Sequence, residues 1–162
     1  FKWINLKDRT FVIIVTYNGM QWIDTCLKSI VNSSTKLDII VIDNNSSDGT
    51  VSYIKKQYPE VIVLEQETNL GFGKANNLGM SYALNNNCDY VFLLNQDAYL
   101  EVDSIGRMIE VHKENSEYGI LSPIHLNGED NKLDKNFSNY LRYDSNNYFY
   151  HDAIKQDRKS VV

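Results

Sequence analysis

Two short apolar runs, each leading into an acidic side chain, limit most strongly how this chain can fold. Residues 37–42 lead into Asp43, and residues 90–94 lead through two polar residues into Asp97. Apolar runs of this length are typical of strands that are buried on both faces of a parallel sheet. Ligands of open α/β sheets bind at the carboxyl ends of such strands. We therefore expect Asp43 and Asp97 to lie at one ligand-binding edge.

Strand and helix signals alternate along the first two thirds of the chain. The predicted strands are residues 11–16, 37–43, 61–64 and 90–94. Between them, apolar residues recur at the spacing of amphipathic helices. The alternation predicts an α/β fold with one doubly wound, mostly parallel sheet that is flanked by helices. Beyond Asn127 the pattern has no clear period, so no element is predicted there.

Length and charge narrow the class of protein further. A chain of 162 residues fits one domain, and its formal net charge of -5 comes with scattered rather than clustered basic residues. Nucleic-acid-binding surfaces normally show a basic stripe, so no nucleic acid is expected as a partner. Cys26 and Cys88 are expected to be reduced thiols in a cytoplasmic protein. No apolar run is long enough to span a bilayer, and no signal-peptide pattern opens the sequence.

Asp43 heads a turn that is rich in Asn, Ser and Asp residues. A carboxylate at this position can accept hydrogen bonds from a ribose hydroxyl or a uracil N–H. It can equally do no more than cap the turn, as Asx residues often do. The residues alone leave both interpretations open. Asp48, by contrast, is fully explained as the cap of the following helix.

Residues 69–79 combine three glycines and three asparagines with Lys74. The spacing excludes a dinucleotide-binding fingerprint, because Asn76 stands where the third glycine belongs and the segment follows the third strand instead of the first. One remaining interpretation is a helix start whose free N–H groups meet a diphosphate together with Lys74. The other is a plain loop in which the lysine is solvated.

Asp97 is the candidate metal ligand. A hard divalent cation takes oxygen ligands, usually one or two protein carboxylates together with substrate phosphates. Asp97 directly follows a strand and lies too early to cap the helix that is predicted to begin at Asp103. No Ser-His-Asp, Cys-His or zinc-like spacing is present in the sequence. Two separate acids, one for a sugar or base and one for a metal on phosphate, indicate a nucleotide-sugar enzyme.

Taken together and in order, these motifs resemble the family 2 glycosyltransferases, which have the GT-A fold. The matching segments are residues 15–18, 41–50, 69–79 and 93–97. In the right order and spacing, they cover roughly residues 11–125 and are far more specific together than any one motif. The form Asn95-Gln96-Asp97 looks most like the rhamnosyltransferase-like branch, which builds bacterial surface polysaccharides.

The resemblance implies transfer of a sugar, with inversion, from a UDP- or dTDP-type donor to a saccharide or lipid-linked acceptor. It also implies that Asp97 ligates Mg²⁺ or Mn²⁺ on the diphosphate. The family's metal motif usually has an acid at both ends, whereas Asn95 occupies the first position here. The implied donor-binding residues are Thr16, Tyr17, Asn18, Asp43, Asn44, Ser46, Asn69, Gly71, Lys74, Asn77 and Gln96.

The general base of this family is an acid in the second half of the domain. We expect it beyond Val162, because no residue of this sequence matches it. Residues 1–162 are thus expected to form a single GT-A domain that is cut short on its acceptor-binding side. The predicted location is the cytoplasm, with attachment to the inner face of the membrane and a homodimer as open alternatives.

Two other functions are weighed against this one. A nucleotidyltransferase would usually show a glycine-rich, basic loop directly after the first strand, and residues 17–21 are not such a loop. A catalytically silent module that only binds a sugar nucleotide stays open, because the general base is missing from the sequence. Donor binding with and without transfer distinguishes these functions.

Overall fold

The computed structural model of this protein describes residues 8–129 and 132–141. They divide between two compact units, Phe1–Val102 and Asp103–Val162. The elements, in chain order, are β1 (Thr10–Thr16), α1 (Ile23–Val31), β2 (Asp38–Asp43), α2 (Thr50–Gln57), β3 (Ile62–Glu65), α3 (Phe72–Asn85), β4 (Tyr90–Asn95), α4 (Ser104–Glu114) and α5 (Lys135–Leu141). The four predicted strands and the helices between them are therefore confirmed, with ends that shift by one or two residues.

The four strands form one parallel sheet in the order β3-β2-β1-β4. The chain moves outward from β1 to β3 and then returns to the other side of β1. The register pairs Thr16 with Asp43 and Val15 with Asn95, so three strands end at nearly the same level. The reversal between β1 and β4 is the switch point at which ligands of open α/β sheets bind.

The two central strands supply most of the core of the first unit. Every residue of β1 is buried, because this strand lies between β2 and β4. One face of the sheet packs against α3 through a cluster of buried residues: Phe11, Ile13, Val15, Ile40, Ile42, Ala75 and Ala83. Gly79 allows this close packing, since a Cβ atom there would lie 2.5 Å from the Cγ2 atom of Ile13.

The outer strand β4 corrects one expectation. Residues 90–94 were expected to be buried on both faces, but only Leu94 is buried and Leu93 is 46% exposed. Among the described strands, β4 pairs with β1 alone and therefore forms an edge of the sheet. The apolar run predicted the strand correctly and its burial wrongly, because burial depends on neighbours that the run does not specify.

Helix starts agree with the sequence in one case and differ in another. Asp48 precedes α2, and its Oδ1 atom accepts hydrogen bonds from the Thr50 backbone N–H at 3.0 Å and from the Thr50 hydroxyl at 2.5 Å. Asp103 lies at the start of α4 but makes no capping hydrogen bond. Its carboxylate instead pairs with Arg107 one turn later, at 2.9 Å. Asp48 therefore supports the start of α2 through Thr50, whereas α4 begins at Asp103 as predicted but without a side-chain cap.

The second unit contains an element that the sequence pattern missed. Asp134 precedes α5, and its Oδ1 atom accepts hydrogen bonds from the backbone N–H groups of Asn136 and Phe137 at 2.8 and 3.0 Å. This is the usual way in which an Asp begins a helix. The aromatic segment around Tyr148 lies outside the described residues. Among residues 8–129 and 132–141, no helix is both long and apolar enough to cross a bilayer.

Candidate functional site

Four loops follow the four strands at the carboxyl edge of the sheet. We call residues 17–22 the first loop, residues 44–49 the second, residues 66–71 the third and residues 96–102 the fourth. Every predicted site residue lies in one of these loops, in the last residue of β1 or β2, or in the first two turns of α3. The topology thus brings together residues that are up to 80 positions apart in the sequence.

Asp43 is the most deeply buried acid in this region. It ends β2, and only 2% of its surface is exposed. Its Oδ2 atom accepts a hydrogen bond from the Ser46 backbone N–H at 2.9 Å. Its Oδ1 atom is buried and has no hydrogen-bond partner in the described part of the chain. Turn capping therefore explains one oxygen of the carboxylate and leaves the other without a partner in the described residues.

Asn18 connects the first loop to the second. Its backbone N–H donates to the Ser46 hydroxyl oxygen, and its Oδ1 atom accepts from the Ser47 N–H, both at 2.9 Å. The backbone of Asn18 has a φ of 48°, which Asn adopts more readily than most residues. Asn18 and Ser46 are therefore engaged in holding two loops together.

Asp48 adds a second connection between the same two loops. Its Oδ2 atom accepts a hydrogen bond from the Met20 N–H at 3.0 Å, while its Oδ1 atom serves α2. Burial raises the pKa of this carboxyl, but the hydrogen bonds from Thr50 and Met20 outweigh burial and hold the pKa below its usual value. The sequence predicted the capping role and missed the connection to the first loop.

Gln96 connects the fourth loop to the first. Its Oε1 atom accepts hydrogen bonds from the Thr16 hydroxyl at 2.7 Å and from the Tyr17 N–H at 3.0 Å. Its Nε2 atom donates to the Tyr17 carbonyl oxygen at 3.4 Å. The Tyr17 side chain is 50% exposed. Both polar atoms of the Gln96 carboxamide are thus used within the protein, whereas the Tyr17 ring remains accessible.

The third loop is held to the second by asparagine side chains. Asn44 accepts a hydrogen bond from the Leu70 N–H at 3.2 Å and donates one to the Gly71 carbonyl oxygen at 3.5 Å. Asn69 accepts one from the Gly71 N–H at 2.8 Å. Gly71 has a φ of 76°, a conformation that residues with a side chain rarely adopt. The chain therefore turns into α3 at Gly71.

The first turn of α3 is suited to an anion. It contains no acidic residue, and its free N–H groups carry a partial positive charge because the peptide dipoles are aligned. Lys74 and Asn77 are exposed on this helix. A diphosphate is the type of group that binds at such a helix start. The predicted helix start is therefore present. Binding of a phosphate at this helix start is tested by nucleotide binding.

Asp97 is an exposed carboxylate that accepts no hydrogen bond from the rest of residues 8–129 and 132–141. No group of three or more His, Cys, Asp or Glu side chains that could share a metal occurs in that part of the chain. Asp97 therefore provides a single carboxylate. This fits a cation whose other ligands are substrate phosphates and water, which is how Mg²⁺ is usually bound.

Cys26 is a buried, unreactive thiol next to the end of β4. Its Sγ atom donates to the Asn95 carbonyl oxygen at 3.6 Å. Burial, together with the negative charge of Asp97, raises the pKa of this thiol to about 12. The thiol therefore stays protonated at neutral pH, as is usual for a buried structural cysteine.

Gly19 is a site residue that the sequence did not single out. A Cβ atom at this position would lie 2.5 Å from both the Gln96 Oε1 atom and the Thr16 Oγ1 atom. The need for glycine therefore comes from a close approach between two loops. The Asn-Gly pair was visible in the sequence as a turn signal, but its partner 77 positions later was not.

Comparisons with known proteins identify the family of this chain. The model of the family described as glycosyl transferase family 2 matches residues 11–161. A poly(ribitol-phosphate) beta-glucosyltransferase of Bacillus spizizenii is 29% identical over 111 residues, which cover 64% of this chain and 17% of that protein. This chain therefore spans about a sixth of the length of that relative.

Two solved structures share the fold. The mannosyltransferase PcManGT from Pyrobaculum calidifontis, in complex with GDP-Man and Mn²⁺, matches with a TM-score of 0.64 and 21% identity, covering 85% of this chain and 39% of that chain. TarS 1–349 of S. aureus, in complex with UDP-GlcNAc, matches with a TM-score of 0.61 and 20% identity, covering 74% of this chain and 38% of that chain.

Proposed function

We propose, from the premise that this chain belongs to glycosyl transferase family 2 and has the GT-A fold, that it binds a nucleoside diphosphate sugar for transfer of the sugar to an acceptor. The four loops at the carboxyl edge of the sheet form the donor site. The proposed donor is of the UDP or dTDP type. The proposed acceptor is a saccharide or a lipid-linked saccharide of a bacterial surface polysaccharide.

The observation that carries this proposal is the unpaired oxygen of Asp43. A buried polar atom without a partner costs about 1–3 kcal/mol, and more when it is charged, so folding alone gives no reason to keep it. A ligand that donates an N–H or O–H group to Oδ1 would compensate for this cost. The N–H of a pyrimidine base and the hydroxyls of a ribose are such donors.

We propose that the diphosphate binds between the start of α3 and Asp97. The helix dipole and Lys74 supply positive charge on one side. On the other side Asp97 would hold a divalent cation, Mg²⁺ or Mn²⁺, which stabilises the negative charge of a departing diphosphate. The neighbouring structure contains both GDP-Man and Mn²⁺, which supports the use of a divalent cation together with a nucleotide sugar.

The proposed reaction inverts the configuration of the sugar. An acceptor oxygen forms a bond to the anomeric carbon while the bond from that carbon to the diphosphate breaks. The nucleoside diphosphate leaves, and the acceptor proton passes to a general base. We assign no general base among residues 8–129 and 132–141.

Calorimetric titration tests the proposal. UDP, dTDP, GDP and ADP are titrated into the protein with and without Mn²⁺. We expect a pyrimidine diphosphate to bind most tightly and Mn²⁺ to increase its affinity. Asp38→Asn is the control, because Asp38 lies at the amino end of the strand that Asp43 ends, in an ion pair with Arg9. No binding of any of the four nucleotides would refute the proposal.

A catalytically silent module that binds the sugar nucleotide is the second candidate, and the unassigned base favours it. Assays for release of free sugar and for transfer to saccharide acceptors distinguish the silent module from an active transferase. A silent module binds the donor without consuming it. A nucleotidyltransferase is the less favoured enzyme. Residues 17–22, which follow β1, hold one glycine and no Lys or Arg, so they are poorly suited to hold a triphosphate.

A further inference from the structure

We propose that Gln96 is a positioning residue, which acts on the donor through the first loop. We name its hydrogen bonds to Thr16 and Tyr17 the Gln96 bridge. The bridge keeps the base-binding side of the site aligned with the metal-binding side. The inference rests on the proposed function for its effect on binding, although the bridge itself can be tested without any ligand.

The hydrogen bonds of Gln96 occupy its acceptor oxygen. Its acceptor oxygen already receives two hydrogen bonds, at 2.7 Å from Thr16 and at 3.0 Å from Tyr17. Its amide nitrogen donates to the Tyr17 carbonyl oxygen at 3.4 Å. An amide oxygen has two lone pairs, so the acceptor capacity of Gln96 is full. A donor molecule would have to displace the bridge in order to donate a hydrogen bond to this oxygen.

The geometry of the bridge resembles one more step of the sheet. The register between β1 and β4 ends at the pair Val15 and Asn95. Beyond this pair the Gln96 carboxamide both accepts from and donates to the peptide groups of Tyr17, as a neighbouring strand would. The bridge therefore extends the pairing of the two strands into their loops.

Gly19 makes room for the bridge. A methyl group there would lie 2.5 Å from the Gln96 oxygen and 3.2 Å from its Cδ atom. Real Cβ atoms do not approach so closely, so a larger residue would push the flexible Gln96 side chain away. Gly19→Ala thus disrupts the bridge while Gln96 itself is unchanged.

The position of Gln96 in the chain explains why losing the bridge should affect binding of the donor. The next residue, Asp97, is the proposed metal ligand, and Tyr17 lies beside the proposed base site. Without the bridge, the first and fourth loops can move independently. A ligand that contacts both loops should lose affinity, whereas a ligand that contacts only the first loop should be affected little.

Amide hydrogen exchange tests the bridge in the ligand-free protein. In Gln96→Ala the Tyr17 N–H loses its acceptor, and we expect it to exchange about tenfold faster. Gln96→Glu keeps an acceptor oxygen and should restore protection. Gln57→Ala, at the exposed end of α2, is the control and should change nothing at Tyr17. Equal Tyr17 exchange in the parent and Gln96→Ala proteins would overturn the proposal.

Gly19→Ala provides an independent test. It should speed Tyr17 exchange as Gln96→Ala does, and the double variant should be no faster than either single variant. Gly119→Ala is the matched control, because a Cβ atom there has no neighbour within 4 Å. Additive effects of Gly19→Ala and Gln96→Ala would contradict a shared bridge.

Binding of two nucleotides separates positioning from general damage. We expect Gln96→Ala to weaken UDP with Mn²⁺ about fivefold to tenfold and to leave UMP without metal nearly unchanged. A merely structural role would weaken both nucleotides alike, and that result would overturn the inference. If the parent binds no nucleotide but the exchange results hold, the proposed function fails and the bridge stands.

Discussion

At the scale of single residues, the site is defined by which polar atoms are engaged and which are not. Hydrogen bonds between separate segments engage the side-chain oxygens of three residues, Asn18, Asn44 and Gln96. Asp43 and Asp97 keep carboxylate oxygens that no described residue engages. A preorganised site needs both kinds of residue, since fixed loops hold the free groups in place for the ligand. The two acids are therefore the first positions to test.

Asp43→Ala should weaken binding of UDP or dTDP by about 1.5–3 kcal/mol, which is typical for a hydrogen bond to a charged group. The loss is expected because the unpaired Oδ1 atom is removed from a buried position. Calorimetry on the parent and variant proteins measures the difference. Asp38→Asn, on the same strand, should bind like the parent. Unchanged nucleotide affinity in Asp43→Ala would show that Asp43 does not contact the ligand.

Asp97→Asn should abolish any increase in nucleotide affinity that Mn²⁺ produces, because the amide that replaces the carboxylate is a weak ligand for a hard cation. Asn95→Ala should have a smaller effect on that increase. Titrations of UDP with and without Mn²⁺ compare the three proteins. An equal effect of Mn²⁺ on the parent and Asp97→Asn proteins would exclude Asp97 as the metal ligand.

At the scale of elements, close contacts between helices and strands fix the sheet beneath the site. Asp24 on α1 accepts hydrogen bonds from Tyr53 on α2 and from Tyr58 directly after it, both at 2.7 Å. Gly79 brings α3 against β1. These contacts help to fix both ends of the first loop, which joins β1 to α1, and the end of the third loop, which leads into α3. Each contact leads to a separate stability prediction.

Gly79→Ala should destabilise the protein by about 1–3 kcal/mol, the usual cost of overpacking a tight core. The added methyl group would lie 2.5 Å from the Ile13 Cγ2 atom, and Ile13 is fully buried. Urea unfolding of parent and variant measures the cost. Gly73→Ala is the control in the same helix, where a Cβ atom has no neighbour within 4 Å. Equal destabilisation by both changes would mean that close packing is not the cause.

Asp24 should make stability depend on pH in the acid range. Hydrogen bonds from Lys28, Tyr58 and Tyr53 lower the pKa of Asp24 from 3.8 to about 2 in the folded protein. The folded state therefore favours the ionised form, and its stabilising contribution is complete above pH 3.8 and is lost as the pH falls toward 2.

Urea unfolding between pH 5 and pH 2 tests this dependence. Asp24→Asn should be less stable than the parent at pH 5, and the gap between them should narrow as the pH approaches 2. Glu67→Gln is the control, because it removes an exposed carboxylate in the third loop. The difference in stability between Glu67→Gln and the parent should not narrow as the pH falls. A constant gap between the parent and Asp24→Asn across the range would contradict the role of Asp24.

At the scale of the whole molecule, the proposed donor site is assigned to residues of this chain, whereas the group that would catalyse sugar transfer is not. The elements that surround the proposed donor site all belong to residues 1–102, whereas the general base has no assigned residue. The chain covers 17% of the glucosyltransferase to which it is similar. Binding and transfer can therefore be measured as two distinct properties of these 162 residues.

We expect the 162-residue chain to bind a donor nucleotide and to transfer sugar slowly or not at all. General-base catalysis is typically worth about 10²–10⁴-fold in rate, and no general base is assigned among residues 8–129 and 132–141. Calorimetry and an assay for released nucleoside diphosphate, with and without saccharide acceptors, measure the two properties. Efficient transfer would mean that an acid among Asp130, Asp134, Asp144, Asp152 and Asp157 is the base.

The sequence determined the order of strands and helices and the edge at which the acids lie. It could do so because apolar periodicity and turn residues are local signals, and parallel connections place the carboxyl ends of strands together. The sequence alone therefore predicted that Asp43 and Asp97 follow the ends of strands. The helix α5 was missed because its signal is a single capping acid in a segment without periodicity.

Only the tertiary structure decided which side chains are engaged with other loops. Gln96 was predicted from the resemblance to contact the donor, and the structure adds that its carboxamide accepts hydrogen bonds from Thr16 and Tyr17, 80 and 79 positions away. Gly19 appeared to be a turn residue, although a close approach by Gln96 is what requires it. Such contacts depend on register and on packing between distant segments, and no local pattern in a sequence encodes these distances.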